Sequence, residues 1–294
     1  MTTAAATRVD ESTLTHKFTE VESGVRLHYV EVGTGPLVVL LHGFPEFWYA
    51  WRRQIGTLAA AGHRVVAPDL RGYNLSDKPR GVRAYALRRL VDDVAALVRA
   101  CGQENASVVG HDWGAGIAWA FTMTYPELVR RVAVLNGPHP ERMLHGLRSP
   151  RQLAKSWYMF AFQVPWLPEM MARRNDYEWL LTPLRKEPVN PDAFDSADLA
   201  RYREALSKPG AVEAMIHWYR AMFRPGTSVP MRRIDAPALV LWGALDPHLG
   251  RDLATPSPAL VQNAEVKFFP AATHWIHHDE PRRVNEELLA FLQG

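Results

Sequence analysis

The chain has 294 residues, 47% of them apolar and 22% charged, with a net charge of +3. That length can bury a large core, and no apolar run approaches the roughly 20 residues needed to span a bilayer. Basic residues fall in scattered pairs, Arg88-Arg89, Arg173-Arg174 and Arg282-Arg283, rather than in one stripe, which argues against a nucleic-acid partner.

Met1 to Glu11 has neither a basic n-region nor an apolar h-region, so it reads as a frayed tail rather than a signal peptide. Cys101 is the only cysteine and cannot form a disulfide within the chain, which fits a cytoplasmic protein. Phe18 to Glu22 and Val25 to Val30 alternate around Ser23-Gly24, as an antiparallel hairpin at a sheet edge does. Continuous apolar runs follow at Leu37 to Leu41, Arg64 to Ala67, Ser107 to Gly110, Val132 to Leu135, Ala238 to Trp242 and Val266 to Phe269. Runs of that kind predict parallel strands buried on both faces.

Helical patterns separate them at Trp48 to Ala61, Leu87 to Ala100 and Ala115 to Tyr125. In the second, Leu87, Leu90, Val91, Val94, Leu97 and Val98 share one face. Alternating strands and helices predict an α/β fold, a mostly parallel sheet covered on both sides. From Pro138 to Val229 the strand signal stops, and apolar residues recur at helical spacing in Leu153 to Phe162, Tyr177 to Leu181, Leu199 to Leu206 and Val212 to Phe223. Residues 1–137 and 230–294 are therefore expected to form the core, with residues 138–229 as an inserted helical cap.

The stretch Val108-Val109-Gly110-His111-Asp112-Trp113-Gly114-Ala115-Gly116 runs from apolar strand into small residues and then into helix. This is a nucleophile elbow, a strained turn that exposes one side chain at the end of a buried sheet. That side chain is Asp112. A carboxylate there attacks a saturated carbon and forms an alkyl ester, where a serine would attack a carbonyl. Hydrolysis of the ester needs a base and a group that orients it. Asp246 follows the run Ala238 to Trp242, and His274 follows Val266 to Phe269, giving the order nucleophile, acid, histidine. His277 and His278 stand close to His274, and Asp235 and Asp252 close to Asp246, as competitors for those roles.

Gly110 to Trp119, with His42-Gly43-Phe44-Pro45-Glu46 upstream, resembles the epoxide hydrolases of the α/β-hydrolase fold, and the likeness extends over nearly the whole chain. The resemblance implies that the backbone N–H groups of Phe44 and Trp113 face the nucleophile and later hold the oxyanion. It also implies that Tyr158, in Tyr-x-x-x-Phe-Gln, and Tyr219, in His217-Trp218-Tyr219-Arg220, meet the developing alkoxide. Phe44, Trp113, Phe162, Trp218 and Trp275 are expected to line the substrate pocket. Arg71 to Pro79 resembles a structural loop of the same family, with Asn74 where glycine is more usual; asparagine tolerates the positive φ such a turn requires.

The expected reaction joins an epoxide and water into a diol, with no metal or nucleotide cofactor and no membrane span; a homo-oligomer is left open. A dehalogenase on the same fold is the first alternative, since the Trp113 and Trp218 indoles could donate to halide. A ligand receptor with vestigial catalysis is the second.

Overall fold

The computed structural model describes residues 8–294, so most of the expected tail lies outside the described residues. What is described of it is tied down: Val9 N–H donates to Arg52 O at 2.7 Å, and Arg8 pairs with Asp195 and Asp198 at 2.8 Å each.

Eight strands form one sheet: β1 (Thr15–Glu22), β2 (Val25–Val32), β3 (Leu37–Leu41), β4 (Arg64–Pro68), β5 (Ala106–His111), β6 (Val129–Leu135), β7 (Ala238–Gly243) and β8 (Ala264–Phe269). Their order is β1-β2-β4-β3-β5-β6-β7-β8. The first two pair antiparallel with each other and β2 with β4; every pairing from β4 through β8 is parallel. The α/β sheet expected from the sequence is the one observed. All residues of β3, β5 and β7 are buried, because helices cover both faces, whereas β8 is an edge strand and only Phe269 in it is buried.

The helix Leu87–Ala100 has the expected bounds, and Cys101 caps its end in a buried position. Trp48 to Ala61 is not one helix. It is a 3₁₀ turn at Trp48–Trp51 and a short α-helix at Ile55–Ala60. Tertiary bonds outweigh local preference here: Arg52 donates to Ala193 O at 2.6 Å and Gln54 to His277 O at 3.2 Å.

Between β6 and β7 the chain forms seven α-helices: Pro140–Gly146, Pro150–Lys155, Trp157–Ala161, Leu167–Arg173, Glu178–Lys186, Ser196–Ser207 and Ala211–Met222. The expected continuous helix over Leu153 to Phe162 is two, broken at Ser156. Asn74 adopts φ 37°, so asparagine does make the left-handed turn in its loop. Asp69 organises that loop, accepting from Asn74 at 2.9 Å and pairing with His28 at 2.7 Å.

Candidate active site

Asp112 sits between the end of β5 and the helix Trp113–Thr124, at φ 52° and ψ −118°. The strain is held by close packing that only glycine permits. A Cβ on Gly110 would lie 2.3 Å from Gly114 O, and one on Gly43 would lie 2.5 Å from Asp112 Cβ. The positive end of the helix dipole falls beside the Asp112 carboxylate.

Three side chains from three strand ends meet there. His274 Nε2 lies 3.4 Å from Asp112 Oδ2, and His274 Nδ1 lies 2.8 Å from Asp246 Oδ2. The competitors are elsewhere. His277 and His278 face Glu46, Asp235 pairs with Arg233 at the surface, and Asp252 accepts from Arg142 through its backbone. Asp246 also accepts from His248 N–H at 2.7 Å and Leu249 N–H at 2.8 Å through Oδ1, and from Asn136 Nδ2 at 2.6 Å through Oδ2. Asn136 was not singled out in the sequence. Its signal is a polar residue at the end of β6, ahead of Gly137-Pro138, and it bridges to β7 by accepting from Gly243 N–H at 2.9 Å.

Burial pushes the Asp112 carboxyl up, but the hydrogen bond and charge of His274, with the Phe44 N–H, hold it below the usual range. Burial likewise works against Asp246, yet His274 and the Asn136 and Leu249 donors bring it down to about 2. Burial also disfavours charge on His274, but Asp246 and then Asp112 hold its proton well above the ordinary histidine value. The two carboxylates thus favour a proton on His274 between them.

Phe44 N–H donates to Asp112 Oδ1 at 3.0 Å. No hydrogen bond among the described residues runs from Trp113 N–H to that carboxylate, whose other oxygen is turned toward His274.

A cavity of about 240 Å³ opens over Asp112, its wall largely apolar and built from the Trp113 helix and from the helices between β6 and β7. Tyr158 and Tyr219 both line it, with ring centroids 5.9 Å apart. Burial raises both phenols well above their ordinary value, and the Asp112 charge adds to it, so both remain hydrogen-bond donors. Neither hydroxyl donates to a protein acceptor among the described residues.

Trp113 and Trp218 are in the wall, but Trp218 donates its indole N–H to Arg71 O at 3.1 Å. Phe44, Phe162 and Trp275 do not line the cavity. Phe162 packs behind Tyr219, with ring centroids 4.8 Å apart, and against Phe44. Trp275 is buried with its N–H on Glu187 at 2.9 Å, because the chain after His274 turns inward rather than along the cavity.

Residues 36–281 match the family model described as alpha/beta hydrolase fold. The chain belongs to the α/β-hydrolase family. It is 41% identical to the AB hydrolase superfamily protein YfhM of Bacillus subtilis, over 92% of this chain and 96% of the relative. It is 36% identical to epoxide hydrolase 4 of Homo sapiens, over 97% of this chain and 80% of the relative. Among solved structures, Bacillus megaterium epoxide hydrolase in complex with an inhibitor superposes with a TM-score of 0.87 at 33% identity, covering 95% of this chain and all of that one. Within the α/β-hydrolase family, this chain groups with the epoxide hydrolases.

Proposed function

We propose that this α/β-hydrolase opens epoxides to vicinal diols through an ester on Asp112, with residues 138–229 acting as a cap over the core. The observation that carries the reading is the shared cavity: the Asp112 carboxylate and the two phenol donors Tyr158 and Tyr219 line one apolar space.

Asp112 Oδ2 forms a bond to an epoxide carbon as the ring C–O bond breaks. Negative charge appears on the departing oxygen, which takes a hydrogen bond and then a proton from the tyrosines. Once Asp112 is an ester its charge is gone, and His274 loses one of the two carboxylates that hold its proton. It sheds that proton, which replaces the one the tyrosine gave to the alkoxide, and becomes a base. Neutral His274 then draws a proton from water as the water oxygen adds to the ester carbon. Phe44 N–H holds the oxyanion that results, a donor typically worth about 3 kcal/mol of barrier. Collapse breaks the bond to the diol oxygen, which takes that proton from His274, and the carboxylic acid left on Asp112 passes its own proton to His274, restoring the resting pair.

The dehalogenase alternative asks for two indole donors toward halide, and Trp218 has already spent its N–H on Arg71 O. A receptor has no need of a buried base aligned on a carboxylate. None of the described helices is long and apolar enough to cross a membrane; the single, buried Cys101 supports the cytoplasmic location we propose.

The test is a single-turnover comparison on an epoxide and on a bromoalkane, using wild type and the double variant Tyr158→Phe, Tyr219→Phe. Removal of one donor is expected to slow epoxide opening by about 10²–10³, and removal of both to nearly stop it. Epoxide opening by the double variant at the wild-type rate would contradict the assignment.

A further inference from the structure

Behind the triad, away from the cavity, four side chains with no exposed surface form a cluster that the reaction does not use: Glu46, His111, His277 and His278. Glu46 follows β3, His111 ends β5, and His277 and His278 belong to the short helix Ile276–Asp279 after His274.

The proton positions follow from the partners. His278 Nδ1 faces Arg52 Nη1 at 3.3 Å, and arginine only donates, so His278 donates from Nε2 to Glu46 Oε1 at 2.8 Å. Tyr202 O–H donates to the same oxygen at 2.8 Å. Oε1 is thereby satisfied. His111 Nε2 lies 2.9 Å from His274 O, a carbonyl that only accepts, so His111 carries its proton there. In the neutral ring His111 Nδ1 then carries the lone pair, and it faces Glu46 Oε2 at 3.3 Å. His277 Nε2 approaches the same oxygen at 3.6 Å. None of these three atoms has a hydrogen-bond partner, and all three lie within 4.8 Å of one another.

We propose that Glu46 Oε2, His111 Nδ1 and His277 Nε2 form a binding site for a divalent late first-row metal cation such as zinc. The two spacings to Glu46 Oε2 suit a metal better than a buried water. Zinc sits about 2.05 Å from nitrogen or oxygen ligands, and two atoms 3.3 Å apart subtend roughly 107° at that distance, close to tetrahedral. The 3.6 Å pair subtends roughly 123°. At a water about 2.8 Å from each, the 3.3 Å pair would subtend only about 72°, too narrow for the two O–H bonds of one water to reach both.

Two imidazoles and one carboxylate are a donor set that zinc accepts, with a fourth position left for water. His111 also has the outer support that ligating histidines use, its second ring nitrogen donating to a backbone carbonyl. A cation here would cross-link three segments, the loop after β3, the approach to the elbow, and the turn after the histidine base. The site departs from the sequence expectation of no metal; its ligands lie far apart in the chain and form no short contiguous motif.

The test uses the full chain, stripped with a chelator, incubated with zinc chloride and desalted before metal is counted by emission spectroscopy. About one zinc per chain is expected to remain on wild type, and at least tenfold less on His277→Ala. Cobalt(II) loaded in place of zinc is expected to give the intense visible absorption of a tetrahedral site. Retention of no zinc by wild type overturns the proposal, as does equal retention by a folded His277→Ala. If that variant does not fold, the cobalt spectrum of wild type decides: a weak octahedral spectrum overturns the site and leaves a buried water only. Neither readout involves turnover, so failure here is distinct from failure of the proposed reaction.

Discussion

Asp112 and Asn136 both stand at positive φ, 52° and 40°, at the ends of neighbouring strands, and each places one polar group that the proposed reaction needs. Asp112→Asn replaces the carboxylate with an amide that is a far poorer nucleophile, and steady-state diol formation is expected to vanish while the fold persists. Diol assays on freshly prepared variant, with mass spectrometry to exclude deamidation, check this. Asn136→Ala removes a donor from a buried carboxylate. A hydrogen bond to a charged group is worth about 1.5–3 kcal/mol, so urea unfolding is expected to show a loss of that order, together with slower ester hydrolysis. The roles of Asp112, His274 and Asp246 could be proposed from sequence because each follows a strand of recognisable pattern. Asn136 carries a weaker signal, a polar residue at the end of β6, and its work depends on Asp246, 110 residues away.

The elbow owes its shape to contacts between elements. Gly43, after β3, packs on the Asp112 side chain so closely that Gly43→Ala must displace either the nucleophile or the loop carrying Phe44 N–H. Overpacking of this kind costs about 1–3 kcal/mol, and kcat is expected to fall more than affinity for substrate, because the oxyanion donor moves with the loop. Kinetics on a single epoxide, with unfolding midpoints alongside, separate the two effects. The helix Leu87–Ala100 was legible because its apolar residues lie on one face and its cap is local. Trp48 to Ala61 was not, because bonds from Arg52 and Gln54 to distant segments divide it. The pocket wall was half legible for the same reason. Trp113 and Trp218 could be placed by motif, whereas the inward turn that hides Trp275 is set by its bond to Glu187.

Across the whole molecule, buried histidines couple stability to acidity. His139 is buried against Trp119, and its Nδ1 accepts from Glu141 N–H at the start of the helix Pro140–Gly146. Burial lowers its pKa from 6.5 to about 4. Between those values the unfolded chain binds more protons than the folded one, so this contribution is fully present above pH 6.5 and is lost as pH falls toward 4. From pH 7 to pH 5 the loss through this residue is about 2 kcal/mol. His139→Asn keeps a capping acceptor without a titrating group and is expected to remove that share of the slope, as read from urea midpoints at the two pH values.

The positions of the strands and the helical stretch between β6 and β7 could be anticipated from apolar runs and their interruption after Pro138, whereas the order of the strands in the sheet was not read from the sequence. Which of these helices line the cavity at Asp112 could not be anticipated, because it depends on packing between distant helices. The direct measurement on the proposed chemistry is intact-protein mass spectrometry of His274→Gln mixed with an epoxide. Asp112 needs no base to attack, but release of its ester does, so an adduct of wild-type chain plus substrate mass, offset by the substitution, is expected to accumulate on Asp112 and persist. A variant that binds the epoxide and forms no adduct, or that turns over to diol at the wild-type rate, would contradict the ester mechanism.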